Sequence, residues 1–453
     1  MAPPRHAGHA ATRLPVFTGT AGWRAILPPP PDRAPLLGET GADIAIVGAG
    51  FAGLSAARRL VQIDPNLRIV LLDAARIAEG GTGRNSGFMI DLPHELAAGE
   101  YAGGGAARDR VLTGLNRQAI AFAEEAVGDY AIPKGHFRRS GKINAAASEA
   151  GLTANRRYAR HLADLGEPHE MLDAQAMQAI TGSRYYRGGL FTPGTAMIQP
   201  AGYALGLAAG LSRAGVAIHE RSPVTRIEPA AQGWRLATPG GAVTAAKVIL
   251  ATNGHLESFG FRPGRLMHIM LSACMTEELP PEAVAAVGGT ECWGATPADP
   301  MGTTVRRIGP AQGGNRIVIR QGGYYRPGMR TSAGDLARLV ARMRRKFDDR
   351  FPMLRGIRFE HAWSGHLCLS RNGVSVMREL EPGLIAAAVC NGLGSTRSTL
   401  TGIGAAELAC GQRSALGGFF AAEAEPDRLP PHPFDTIGAN VYMRWKEWQS
   451  RAE

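Results

Sequence analysis

Between Asp43 and Asp73 the chain reads DIAIVGAGFAGLSAARRLVQIDPNLRIVLLD, and no other stretch limits the fold as tightly. Asp43–Val47 is an apolar run too short for a helix and suited to a strand buried on both faces. Gly48, Gly50 and Gly53 follow at once in the spacing G-x-G-x-x-G. The next residues predict a helix with Leu54, Ala57, Val61 and Ile63 on its packed face and Arg58 and Arg59 turned outward. Asp64-Pro65-Asn66 breaks that helix, and Leu67–Leu72 predicts a second buried strand ending at Asp73.

Each part of this order has a chemical use. Gly48 permits a tight turn, Gly50 lets backbone N–H groups approach a pyrophosphate, and Gly53 lets helix and strand pack closely. The helix start offers a positive dipole end to phosphates. An acid at the tip of the second strand, here Asp73, accepts hydrogen bonds from ribose hydroxyls. Together they predict dinucleotide binding; a βαβ unit using its glycines only for packing is the alternative.

At 453 residues, two domains are expected. A composition of 45% hydrophobic and 20% charged residues is that of a globular chain. The formal charge of +11 implies attraction to anions: a small anionic substrate, the cofactor's phosphates, or a merely solvated basic surface. No DNA- or RNA-binding module or aromatic-interleaved basic strip is evident, so nucleic acid is not an expected partner. Cys274, Cys292, Cys368, Cys390 and Cys410 are odd in number and lack ligand spacing. They support neither a disulfide framework nor a metal site, and suggest a reducing cytoplasm. Met1 to Ala11 has no apolar core and does not read as a secretory signal. No run approaches the ~18 apolar residues of a membrane span.

Along the chain, residues 1–40 read as a proline-rich extended arm. The loop Glu79–Met89 is rich in glycine and small polar residues, suited to close approach of a flat polar ligand. Residues 105–130 and 148–180 predict helices, with a strand at Ser140–Ala145 between them. Tyr203–Ala214 predicts a helix, and Val216–Glu220 and Val224–Ile227 strands. Trp234–Ala237 and Ala242–Ala246 predict a hairpin, and Lys247–Gly254 a buried strand with a polar turn. Leu266–Met275, Thr303–Ile308 and Arg316–Gln321 alternate like sheet, and Asp335–Phe351 is an amphipathic helix with a solvated basic face. Leu384–Cys390 predicts a strand, and Asn391–Thr396 opens a helix to Ala409, a second place where free N–H groups meet an anion.

Four segments together resemble the D-amino-acid oxidase-like flavoproteins, the group holding glycine oxidase, sarcosine oxidase and the γ-glutamylputrescine oxidase type. They are GAGFAGLSAA, the loop GGTGRNSGF, PVTRIE with KVILATNGH, and WSGHLCLSRNGVSVM with GLIAAAVCNGLGSTRSTLTG. The likeness runs from about Asp43 to Ala409. It implies an α/β chain: a Rossmann-like FAD-binding domain of the glutathione-reductase type with a discontinuous, mixed-sheet α+β substrate domain. Residues 41–95, 195–260 and 360–415 would form the first, 96–194 and 261–359 the second, and 416–453 a tail.

The same resemblance implies FAD as cofactor, more readily non-covalent than attached through Cys368. Gly48, Gly50, Ala52 and Gly53 would hold its pyrophosphate, and Asp73 and Ala74 the ribose. Gly81, Thr82, Gly83, Arg84, Asn85, Ser86 and Gly87 would lie along the flavin. Val224 would meet the adenine, Thr252 the pyrophosphate side, and Gly392, Leu393, Gly394, Ser395 and Thr396 the flavin's pyrimidine end. Asp73 stands where the family more often has Glu, and Ser395-Thr396-Arg397 replaces a more glycine-rich run. The implied activity is oxidation of a C–N bond by hydride transfer to flavin and hydrolysis of the imine. The substrate would be a small anionic amine or amino acid, and oxygen or another acceptor would reoxidise the flavin. His366, Arg320 and Tyr325 are the candidates for positioning the substrate, Phe88 and Met89 for closing its pocket, and no Ser/His or His/Asp dyad is expected. An NAD(P)H-dependent flavin monooxygenase and a non-catalytic FAD-binding subunit are the alternatives. Monomer and homo-oligomer both remain open.

Overall fold

The computed structural model describes residues 8–93 and 105–453. Residues 1–7 of the expected arm and residues 94–104, where the expected boundary after residue 95 falls, lie outside the described residues. The glycine-rich stretch builds the centre of one sheet. Strand β1 (Gly38–Val47) leads into helix α1 (Phe51–Ile63) and strand β2 (Ile69–Leu72). β1 runs parallel to β2 and to strand β3 (Gly241–Leu250), with Val47 opposite both Leu72 and Leu250. Buried from both sides, these strands carry the near-continuous apolar runs that a parallel sheet demands. β3 pairs antiparallel with Trp234–Ala237 near its start and parallel with Leu384–Ala388 at its end. The predicted hairpin arm and buried strand are thus one ten-residue strand.

The turn geometry explains two of the glycines. Gly48 has φ +104°, and a Cβ there would lie 2.6 Å from the Ala251 carbonyl oxygen. A Cβ on Gly53 would lie 1.8 Å from the carbonyl oxygen of Gly48, so the helix can sit this close to its strand only without one. Arg58, expected on the outside, is buried instead. Its guanidinium donates to Asp129 (2.6 Å) and to the Phe122 carbonyl (2.8 Å), and lies 4.2 Å from the centre of the Phe122 ring. The helix Ala106–Asp129 covers that face, and sequence periodicity within one helix does not reveal such a neighbour.

The second sheet has eight strands among the described residues. Strand β4 (Leu266–Thr276) lies between strand β5 (Arg316–Tyr325) and strand β6 (Phe359–Ser370), antiparallel to both. Beyond β5 follow Thr304–Ile308, Trp293–Pro297, Lys142–Ala146, Gly188–Thr192 and Glu170–Asp173. Helix α2 (Ala333–Arg350) buries Leu336, Leu339, Met343 and Phe347, as its pattern predicts. β6 edges this second sheet, and the chain next joins the first sheet at strand Val376–Glu381. Helix α3 (Gly394–Ala409) packs on α1, where a Cβ on Gly402 would meet the Ala52 carbonyl at 2.2 Å.

Three segments differ from the sequence reading. The helix expected over 148–180 stops at Leu165, because Gly166 takes a left-handed conformation and Pro168 follows; strand Glu170–Asp173 and helix Ala174–Thr181 complete the stretch. The arm is not simply extended. His9–Ala10 pairs with Arg226–Ile227, and the turn Gly22–Ala25 sinks Trp23 into the core. The expected tail is helical, with Ala415–Ala422 followed by helix α4 (Phe434–Gln449).

Candidate active site

A cavity of about 350 Å³ is lined by the carboxyl ends of β1, β2 and β3 on one side and by β4, β5 and β6 on the other. At its first end stand Gly48, Gly50, Ala52, Asp73, Ala74 and Val224. α1 begins at Gly50 with no side-chain cap. A Cβ on Gly50 would meet the Thr82 hydroxyl at 2.9 Å, and that hydroxyl accepts from the Phe51 N–H at 3.1 Å. Asp73 accepts from the Ala49 and Ala75 N–H groups at 2.7 and 2.8 Å. Burial nevertheless outweighs these bonds and pushes its carboxyl up to about 6. Gly53 packs under the turn and does not line the cavity.

Gly81, Thr82, Arg84, Asn85 and Ser86 line the middle. Gly83 and Gly87 do not, because each is pressed against other groups: Gly83 on the Ala78 carbonyl, Gly87 on Arg306 and the Ile198 carbonyl. Arg84 is a clamp. Its guanidinium donates to the carbonyls of Glu79 (2.6 Å), Thr18 (2.9 Å), Gly19 (2.8 Å) and Ser364 (3.0 Å), joining loop, arm and β6. Burial lowers its pKa only to about 10, so it stays charged at neutral pH. Buried Arg306 supports the same loop from below, donating to the Gly87 carbonyl at 3.0 Å, and nothing local in the sequence marks it. The arm contributes Arg13, Leu14, Pro15, Val16 and Phe17 to the wall, and Trp23 donates to the Asn85 carbonyl at 2.8 Å.

Opposite, Gly392, Leu393, Gly394 and Ser395 line the cavity where α3 begins, again without a side-chain cap. Thr396 does not reach it; its hydroxyl donates to the Ile90 carbonyl at 3.1 Å. Thr252 does, with a buried hydroxyl that has no hydrogen-bond partner among the described residues. Phe88 lines the cavity, whereas Met89 is packed in the core. Cys368 lies outside the lining, on a fully buried strand position where burial pushes its thiol well up.

The far end joins side chains distant in sequence. His366 lines the cavity, and its Nε2 lies 3.0 Å from Nδ1 of His268. His268 Nε2 lies 2.8 Å from a carboxylate oxygen of Glu257. In the β4–β6 ladder His268 faces Cys368 and His366 faces Met270, so the two histidines are diagonal neighbours on one face. Gly254 makes room for them: a Cβ there would lie 2.5 Å from the His366 ring and 2.9 Å from His268. The sequence reading expected no Ser/His or His/Asp dyad; this chain is neither, and the sequence reading did not foresee it. His268 is the one histidine of β4, but β6 holds both His361 and His366, so composition alone does not pick the pair. Burial, with His268 and His255 nearby, holds His366 well below the ordinary imidazole range, and burial lowers His255 to about 4. Both are neutral near pH 7.

Arg320 lines the cavity and donates to the Thr304 hydroxyl at 2.9 Å. Tyr325 does not line it. Five residues further along β5, it turns to α4 and donates to Asp435 at 2.8 Å, so the structure does not bring it to the substrate candidates. Among the described residues no group of three or more His, Cys, Asp or Glu side chains has the geometry to hold a metal ion.

Residues 43–408 match the family model of the DAO type, described as FAD dependent oxidoreductase. The chain belongs to that family. It is 25% identical over 422 residues, 89% of this chain and 91% of the other, to a Rhizobium meliloti (strain 1021) protein named "Probable oxidoreductase OrdL". It is 26% identical over 408 residues to the gamma-glutamylputrescine oxidoreductase of Escherichia coli (strain K12), covering 88% of this chain and 92% of that one. In fold it resembles the crystal structure of glycine oxidase from Geobacillus kaustophilus, with a TM-score of 0.68 and 22% identity over 85% of this chain and 99% of that one. As a DAO-family member the chain is an FAD-dependent oxidoreductase with mixed α/β architecture. Its own residues fit the cofactor. Two uncapped helix starts, a cradle at Gly50 and the unpartnered Thr252 hydroxyl all face the same cavity as Asp73.

Proposed function

We propose that this chain oxidises the C–N bond of a small secondary amine or amino acid bearing a carboxylate. Glycine-like, sarcosine-like, iminodiacetate-like and γ-glutamyl-polyamine substrates are all within this class. One observation carries the reading: the cavity with the dinucleotide features also holds a buried neutral histidine backed by a second histidine and a carboxylate. FAD, when bound, supplies the acceptor for a hydride leaving the carbon beside the amine.

In this reading the turn Gly48–Gly53 and the start of α1 hold the pyrophosphate, and Asp73 the ribose. The 81–87 loop, Thr252 and the start of α3 hold the remainder. In this reading FAD is held non-covalently, and the position of Cys368 outside the cavity lining supports it against attachment at that residue. Amine oxidation by hydride loss needs a neutral amine, and His366 is the group that makes it so. With Glu257 as a carboxylate, His268 donates through Nε2 and accepts at Nδ1, so His366 donates through Nε2. That order leaves Nδ1 of His366 as a lone pair able to take a proton from a substrate ammonium. Arg320, held by Thr304, pairs with the substrate carboxylate.

The test is anaerobic reduction of the purified flavoprotein by glycine, sarcosine, iminodiacetate and γ-glutamylputrescine. The expected result is bleaching of the flavin band by at least one of them and none by NADPH. Bleaching by NADPH with none by amines would move the chain to the monooxygenases. Peroxide formation in air then decides between oxygen and another acceptor.

A further inference from the structure

Helix α4 is built the wrong way round for a helix that belongs only to this fold. Phe434, Ile437, Val441, Trp445 and Trp448 lie at three- to four-residue spacing along one stripe, with Tyr442 beside them, and the six are 49–68% exposed. Asp435, Asn440 and Glu447 face inward. Asn440 exchanges two 3.1 Å hydrogen bonds with the backbone of Tyr325, and Asp435 accepts from the Tyr325 hydroxyl. Glu447 pairs with Arg342 and Arg444. Asp435 and Glu447 are the helix's only carboxylates, and both are turned in. The outward rim is cationic: Lys446 lies over the Trp445 ring and Arg451 over the Trp448 ring, at 5.6 and 4.6 Å. An exposed apolar patch of this kind marks an interaction site.

We propose that α4 docks on an anionic lipid bilayer surface, lying in the interface with its aromatic stripe against the acyl boundary. The chemistry selects this occupant. Tryptophan and tyrosine sit at the headgroup level of bilayers, and lysine and arginine beside them are drawn to anionic lipids. A second copy of the chain fits poorly, since Lys446 and Arg451 would meet their own kind. A sixteen-residue helix is about 24 Å long, and a strip about 10 Å wide offers far less than the ~800 Å² per partner of a standard interface. Among the described residues no helix is long and apolar enough to cross a membrane, so docking in the plane is the geometry that remains open to α4. The contact would also touch the site. Arg326, next to Tyr325, donates its N–H to the His268 carbonyl at 2.8 Å.

The experiment is co-sedimentation of the full-length flavoprotein with phosphatidylcholine vesicles, with and without about one-third phosphatidylglycerol, at low and high salt. The expected result is binding to the anionic vesicles that salt weakens, with a blue shift of tryptophan emission. Trp445→Ser with Trp448→Ser should weaken binding about tenfold or more with flavin content and thermal midpoint unchanged. Lys446→Glu with Arg451→Glu should remove the preference for anionic vesicles. Absence of binding to either vesicle overturns the proposal. So does equal binding by the Trp445→Ser/Trp448→Ser protein, a dimer that this variant dissolves, or a protein partner lost with the stripe while vesicles are ignored.

Discussion

At the glycine-turn end of the cavity the wall is mostly backbone, and at the His366 end it is side chains held in place by other side chains. The first end tolerates no added atoms: Gly48, Gly50 and Gly53 each have a neighbour within 3 Å of where a Cβ would stand. The second end depends on a sequence of contacts, Glu257 to His268 to His366, in which each side chain holds the next in place. A backbone site fails as a whole when crowded. A side-chain site fails in degrees, and its function can be lost while the fold and the flavin remain.

That contrast can be broken by experiment. The largest effect is expected for Gly53→Val, which forces side-chain carbons against the Gly48 carbonyl. We expect loss of about 3 kcal/mol or more and a colourless or insoluble protein, read by thermal denaturation and the visible flavin band. If Gly53→Val stays yellow and stable, the close packing is not what holds the turn. His366→Asn should keep colour and thermal midpoint yet lower kcat by about 10²–10³-fold. Because burial holds His366 well below the ordinary imidazole range, the acid limb of kcat/KM should fall below about pH 6.5. The sign is that activity drops as pH falls and Nδ1 gains a proton; His366→Asn should remove that limb. Glu257→Gln leaves the histidines in place but loses the charge that orders them, for an expected 10–100-fold drop in kcat. An unchanged pH profile in this variant would remove Glu257 from the chain of action.

Arg320→Lys should raise KM about tenfold with kcat nearly unchanged, since a point charge replaces a bidentate fork. The smallest effect is expected at the backbone end. Asp73→Asn should weaken FAD by a few-fold at neutral pH, where the parent carboxylate is charged. Below about pH 6 the parent protonates and the difference should shrink, as isothermal titration of the apoprotein at two pH values will show. A variant insensitive to pH throughout would detach Asp73 from the ribose.

Legibility in the sequence divides along the same line. The glycine turn, both flanking strands, Asp73 and the two loops were readable because local rules govern them: spacing, strand length and a helix start. Of the 81–87 loop, Gly81, Thr82, Arg84, Asn85 and Ser86 line the cavity, whereas Gly83 and Gly87 serve packing that the sequence does not reveal. His366 was visible only as one candidate. His268 and Glu257 were not, because their meeting depends on the register of β4 against β6. Tyr325 shows the converse error: five residues from Arg320 on one strand, it faces a helix more than a hundred residues downstream. Arg58 went the same way, its burial decided by a helix outside its own window.

The arm over the cavity has a consequence for how the molecule is assembled. Residues 13–23 are synthesised before the glycine turn, yet each of their anchors comes later in the chain. Trp23 needs Asn85, Thr18 needs Thr331, and Gly19 bridges to Trp363. The arm therefore reaches its final place only once segments as late as Thr331 and Trp363 are made and folded. Arg13 to Phe17 then complete one wall of the cavity.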